Sequence, residues 1–185
     1  MGGPDADLRP ISGEGKGMIL YHGSTVAVDE PRILESDVGR DFGFAFYTTD
    51  IKAQAERWAV RRAKYARKGG QGNALAVVSE YDFDEKAARA SLTVKDYPAV
   101  SLDWLDMVVK CRSSLMFKHG FDIMTGKIAN DTVGEVVSYV VAGVMPREMA
   151  IEKLKFQQIN NQIAFCSPAS LRFLKFVRAY ELEVE

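Results

Sequence analysis

Cysteine and histidine are both scarce in this chain, and neither sign of charge is in excess. The two cysteines, Cys111 and Cys166, lie far apart in sequence. Two such residues make no disulfide framework and no zinc-binding pattern, and a reducing, cytoplasmic setting is the simplest expectation. No apolar run approaches the roughly 20 residues that cross a bilayer, so no membrane partner is expected. The opening residues lack a basic stretch followed by an apolar one, which argues against a secretory signal. Lys and Arg number 24 against 25 Asp and Glu, for a net charge of −1. No global field therefore recruits nucleic acid or an anionic membrane. The tripeptide Asp41-Phe42-Gly43 matches a kinase motif, but no glycine-rich phosphate loop accompanies it, so it is read as chance.

What remains is ordinary soluble composition. The 185 residues are 47% hydrophobic and 26% charged, enough for one domain with a full core. Residues 1–17 hold five glycines and two prolines, and read as a flexible tail or an expression remnant. Residues 18–185 read as a single domain.

Apolar and aromatic runs predict strands over Met18–His22, Phe42–Thr49, Asn73–Phe83, Phe121–Gly126, Gln162–Ser167 and Phe176–Val184. A loop is expected between the first two. Apolar spacing near 3.6 predicts a helix over Ile51–Lys68, capped by Asp50 and closed by Gly69-Gly70. Further helices are expected over Ser101–Arg112, Asp131–Met145, Pro146–Phe156 and Pro168–Phe176, with Ser101 and Ser167 as caps. Strands and helices interleave with few hairpin signals. The expected class is α+β, with mixed, twisted β-sheet and flanking helices.

Three places can carry chemistry. His22 ends the first apolar run in "LYHGS", before Gly23 and Ser24. It is either a ligand donor at a strand end or a core-edge imidazole bonded to a carbonyl. Gly23, lacking Cβ, would let backbone approach a ligand. Tyr47 and Trp58 lie on a strand end and the following helix, where two rings can hold a flat heterocycle between them or simply pack in the core. Asn160, Asn161 and Gln162 cluster before a late strand, where amides can bind hydroxyls or merely line a loop.

Taken together, "LYHGS", "DFGFAFYTT", "QAERWA", "FDIMTGKIANDT" and "NNQIAFCS…LRFLKF" resemble the bacterial DUF3990 family of the ADP-ribosyltransferase superfamily. The resemblance runs from Met18 to about Val177. It implies an ADP-ribosyltransferase-like fold and a mono-ADP-ribosyltransferase consuming NAD, either an effector or the toxin of a toxin–antitoxin pair. It further implies that His22 bonds the adenosine ribose and that Gly23 backbone holds the nicotinamide carboxamide, with Ser24 nearby. Tyr47 and Trp58 would sandwich the nicotinamide ring. Gln162 would contact the nicotinamide ribose, where many such enzymes carry a glutamate. The implied partners are NAD, a protein or nucleic-acid acceptor and an antitoxin, with no metal.

Breaking the nicotinamide–ribose bond makes an oxocarbenium-like centre, and the protein mainly orients the ribose and excludes water. Gln162 cannot take a proton as a general base, so Glu152, Asp41 or Asp131 is the candidate for that task. NAD hydrolysis, and binding of ADP-ribose or a protein without turnover, are the competing readings. Lys52, Arg57, Arg61, Arg62, Lys64, Arg67 and Lys68 give the first helix a basic face, set against Glu56 alone. That face is a solvated surface, or it meets a pyrophosphate or an acidic partner; a nucleic-acid acceptor is a further alternative, without the support of interleaved aromatics. Asp122 and Asp131 are structural or line the acceptor side, with Asp131 a candidate helix cap. His119 reads as an exposed loop residue and Cys166 as a buried small hydrophobe.

Overall fold

The structure is a computed structural model describing residues 17–35, 39–128, 131–154 and 160–184. Residues 1–16 of the expected tail, and the side chains of Asp131 and Asn160, lie outside what it describes.

Among the described residues, seven strands form two sheets flanked by helices, an α+β arrangement. The first is antiparallel, in the order β1-β3-β7, from β1 (Met18–Ser24), β3 (Ala76–Phe83) and β7 (Leu174–Leu182). The second runs β2-β6-β5-β4, from β2 (Phe46–Thr48), β6 (Asn160–Phe165), β5 (Ile123–Ile128) and β4 (Val94–Asp96). Only β4 and β5 pair in parallel, so this sheet is mixed. Strand alternation sorts the side chains into layers. Leu20, Phe46, Tyr81, Phe83, Ile123, Ile163 and Phe165 point inward and form a core between the sheets. α1 (Lys52–Lys68) covers the outer face of the first sheet by setting Ala55, Ala59 and Ala63 on Ala76 and Val78. α3 (Leu102–Ser113), α4 (Asp131–Val141) and α5 (Arg147–Leu154) cover the outer face of the second through Trp104, Leu105, Val108, Val137 and Leu154. Fully burying a side chain such as Trp104 or Leu105 contributes about 2–3 kcal/mol.

Several local expectations change. The stretch from Phe42 turns before it becomes strand. Gly43 has φ +74°, Gly43 N–H donates to Arg40 O, and β2 is only three residues long. Asp50 does not cap α1; Ile51 holds the cap position without a side-chain bond, and Ile51 N–H donates to Thr49 Oγ1. α2 (Glu85–Ser91), capped by Asp84, and β4 were not expected. Ser101 and Ser167 cap as expected, but α6 (Pro168–Leu171) stops early and β7 starts at Leu174. Cys166 is half-buried against the α3–α5 core rather than fully enclosed. His119 is also half-buried. Phe121 N–H donates to its Nδ1, so Nε2–H donates to Phe42 O at 3.2 Å. No helix among the described residues is long and apolar enough to cross a membrane.

Candidate active site

The two sheets meet at one rung. Tyr21 N–H donates to Thr49 O and Thr49 N–H to Tyr21 O, at 2.8 and 3.0 Å. In an antiparallel strand a residue sends N–H and C=O to the same side, and the side alternates. Tyr21 spends both groups on Thr49, just past the end of β2, so Gly23, two residues on in an unbroken register, also aims N–H and C=O away from β3. Tyr47, two residues before Thr49, aims its own groups back toward β1. The strands do not close on each other there. His22 Nδ1–H instead donates to Tyr47 O at 2.7 Å. The result is a wedge between β1 and β2 with an outward donor–acceptor pair on Gly23 at its edge.

Gly23 has a second constraint. A Cβ would lie 2.2 Å from Ala55 O and 2.8 Å from Ala59 N, both backbone atoms of α1. The close approach that glycine permits here is therefore to a helix, and a ligand would be met by the peptide edge.

His22 faces the inner layer, its ring 4.5 Å from that of Phe46. Burial is the main cause that brings its pKa down to about 4; the Tyr47 carbonyl opposes this, and Arg62 and Arg40 reinforce it. The imidazole is neutral near pH 7, with the proton on Nδ1 and an acceptor lone pair on Nε2. Its folded pKa lies below the ordinary 6.5, so its contribution to stability is complete above about 6.5 and is lost as pH falls toward 4. Replacing His22 with Gln is expected to flatten that part of the stability–pH curve, read by urea unfolding between pH 7 and 4.

Residues opposed across the rung point to one face. The face of β1 that carries Tyr21 and Gly23 therefore continues into that of β2 carrying Tyr47 and of β6 carrying Gln162. Tyr47 opposes Ala164, which makes Tyr47 and Gln162 diagonal neighbours. The Tyr47 hydroxyl donates to Gly43 O at 2.7 Å and accepts from Phe42 N–H at 3.1 Å, fastening the turn before β2. Burial, followed by the Asp41 charge, pushes the phenol pKa well above its usual value. Gln162 Nε2–H donates to Asp41 Oδ2 at 3.4 Å, and Arg112 clamps Asp41 Oδ1 at 2.6 and 2.8 Å. Asp41 is thus engaged by Arg112 and orients Gln162. Glu152 is exposed on α5, and the Asp131 side chain lies outside the described residues.

Trp58 approaches from α1. Gln54 Nε2–H donates to Asn161 O at 2.8 Å, at the edge of β6 that β2 has left to enter α1. One turn on, Trp58 occupies the same flank, 46% exposed, with the Arg61 guanidinium 5.8 Å away. Arg62 follows at the next turn, near enough to depress the His22 pKa. Ser24 is buried at the end of β1. Gln54 was overlooked in the sequence, although it stands in the "QAERWA" motif. Asn161 and Gln162 also border a recess of about 270 Å³ whose other walls include Met18, Phe83 and Arg89. Among the described residues no group of three His, Cys, Asp or Glu is placed to hold a metal ion. Asp122 accepts from Thr93 N–H and Oγ1–H, which ties β5 to the start of β4.

The sequence profile of the family described as "Protein of unknown function (DUF3990)" matches residues 18–176. The chain belongs to the DUF3990 family. No curated protein and no solved structure matches it. The DUF3990 match takes in the wedge, α1 and the Asp41–Gln162 contact, and stops inside β7.

Proposed function

We propose that this DUF3990 chain has an ADP-ribosyltransferase-like fold and transfers single ADP-ribosyl units from NAD to a macromolecule in the cytoplasm, as a toxin with a cognate antitoxin or as an effector. The observation that carries this reading is the wedge at Gly23, a buried residue whose peptide edge faces away from β3. A primary carboxamide presents one carbonyl and one N–H on the same edge, which complements the outward N–H and C=O of Gly23. Tyr47 and Trp58 border that wedge from the sheet and from the helix, where their faces can hold the attached ring. Neutral His22 carries an acceptor lone pair on Nε2 for a ribose hydroxyl on the inner face of the seam, while the Gln162 amide, on the opposite face and oriented by Asp41, would serve the other ribose, so the reading requires the dinucleotide to cross the seam at Gly23. Ser24 stands beside this edge. As the glycosidic bond breaks, these residues hold the sugar and the leaving ring in place and keep water out, and nicotinamide departs as a neutral molecule with the bonding pair, so the cleavage needs no proton from the protein; the acceptor's attacking atom then bonds the anomeric carbon and gives up its proton to solvent.

Purified protein with NAD labelled in the adenylate half is expected to release nicotinamide and fix label to a macromolecule in cell lysate. His22→Ala is expected to slow this by about 100-fold, the usual scale for losing one oriented polar contact. Undiminished turnover in that variant, with the fold intact by circular dichroism, would remove the assignment. Free ADP-ribose as the only product would mean hydrolysis.

Binding without turnover is favoured by one specific observation, namely that Gln162 carries no acid and Asp41 is held by Arg112. Calorimetry showing NAD bound but no nicotinamide released would establish it.

A further inference from the structure

α1 carries seven basic side chains against one acidic one in 17 residues, on a protein whose net charge is −1. Some of these are engaged. Lys52 lies 3.9 Å from Glu56, and Arg67 donates to the carbonyls of Ala74 and Val184. Arg57, Lys64 and Lys68 are exposed and have no acidic partner among the described residues. Together with Arg61 they follow one helical face at spacings of three and four. They border a groove of about 680 Å³ between α1 and the end of β7 at Leu182 and Glu183.

An aromatic element lies within this basic face. Tyr65 is 61% exposed and lines the groove, with the Arg61 guanidinium 5.6 Å from its ring. Arg61 also lies over Trp58, so one guanidinium joins two exposed rings a helical heptad apart. Tyr65 counts toward the apolar period in the sequence, yet it leaves the core because the face set on the sheet runs through Ala55, Ala59 and Ala63, with Val60 packed beside them. The aromatics missing from the sequence reading are therefore present on the surface.

We propose that the α1 groove binds single-stranded nucleic acid. The cations track successive phosphates, and the Tyr65–Arg61 pair offers a planar face on which a base stacks. A duplex hides its base faces, and an acidic peptide has no flat group to match the ring. The surface stands independently of any reaction with NAD, because none of Arg57, Lys64 or Tyr65 belongs to the wedge.

The test is fluorescence anisotropy with a labelled 15-nucleotide single strand, the matching duplex and a labelled 15-residue polyglutamate, at about 50 and 200 mM salt. The single strand is expected to bind tightest, with affinity falling steeply as salt rises. Arg57→Glu with Lys64→Glu should weaken it about tenfold and reduce the salt slope by about 1.4, for two lost phosphate contacts on a single strand. Tyr65→Ala should remove most of the preference for single strand over duplex while leaving the salt slope unchanged. Circular dichroism of each variant guards against loss of fold. Equal binding of duplex and single strand with no effect of Tyr65→Ala would overturn the proposal. So would polyglutamate binding as tightly as the oligonucleotide, which would identify an acidic protein as the occupant, or no binding at the lower salt.

Discussion

Gly23→Ala is expected to lower the stability of the whole domain by about 3 kcal/mol, the upper end of the usual cost of overpacking. The new methyl would stand 2.2 Å from Ala55 O and 2.8 Å from Ala59 N, neither of which can rotate away as a side chain would. α1 must lift from β1, and with it the alanine seam on Ala76 and Val78. Urea unfolding should show the midpoint falling with little change in slope. Ser24→Ala, one residue on and free of this contact, should cost far less. If Gly23→Ala unfolds like the wild type, the helix does not rest on β1 as described. The same substitution should also abolish use of NAD, since the edge that would hold the carboxamide moves with the strand.

The second large effect opposes an expectation drawn from resemblance. Under the proposed reading, many ADP-ribosyltransferases carry glutamate at the position assigned to Gln162, which makes Gln162→Glu look like a repair. The structure predicts damage. Gln162 is buried, and its Nε2 donates to Asp41 Oδ2 at 3.4 Å. A carboxylate there would replace a donor with a second negative charge, and Arg112 already spends its contacts on Asp41 Oδ1. The expected cost is about 3 kcal/mol at pH 8, the scale of placing a second buried charge of the same sign beside Asp41. Like-charge repulsion would raise the folded pKa of the new acid above its unfolded value of about 4.3. The variant should therefore lose stability as pH rises above about 4.3, and recover in acid relative to the wild type. Combining Gln162→Glu with Asp41→Asn restores one acid and one amide to the pair. It should regain at least half the loss, measured as a double-mutant cycle. Additive losses in the double variant would mean that the two side chains do not meet.

Much of the fold is legible where patterns are long. α1 forms over 17 residues where its spacing predicts a helix, although Trp58 and Tyr65 leave the core face, and Ser101 and Ser167 announce the helices that they cap. Short elements escape for physical reasons. α2 has only alanines for an apolar face, and β4 has three residues. The run Phe42–Ala45 looks like strand, yet the Tyr47 hydroxyl and the positive φ of Gly43 turn it back. Leu171–Phe176 suits either state until pairing with β3 makes strand of it from Leu174. The site divides in the same way. His22, Gly23 and Tyr47 stand in short local motifs, while the Asp41–Gln162 contact spans 121 positions and leaves no local trace. Gly23 stood out in the sequence, but the helix pressed against it could not be inferred from one chain segment.

The rung between Tyr21 and Thr49 is the sole backbone tie recorded between the two sheets among the described residues, and its two bonds share one pair of residues. Neither amide can be exposed without loosening the other. In deuterated solvent both should exchange in step, as one latch. A molecule lodged at Gly23 would add a second fastening to the same seam, and both amides should then exchange more slowly even though neither touches the guest.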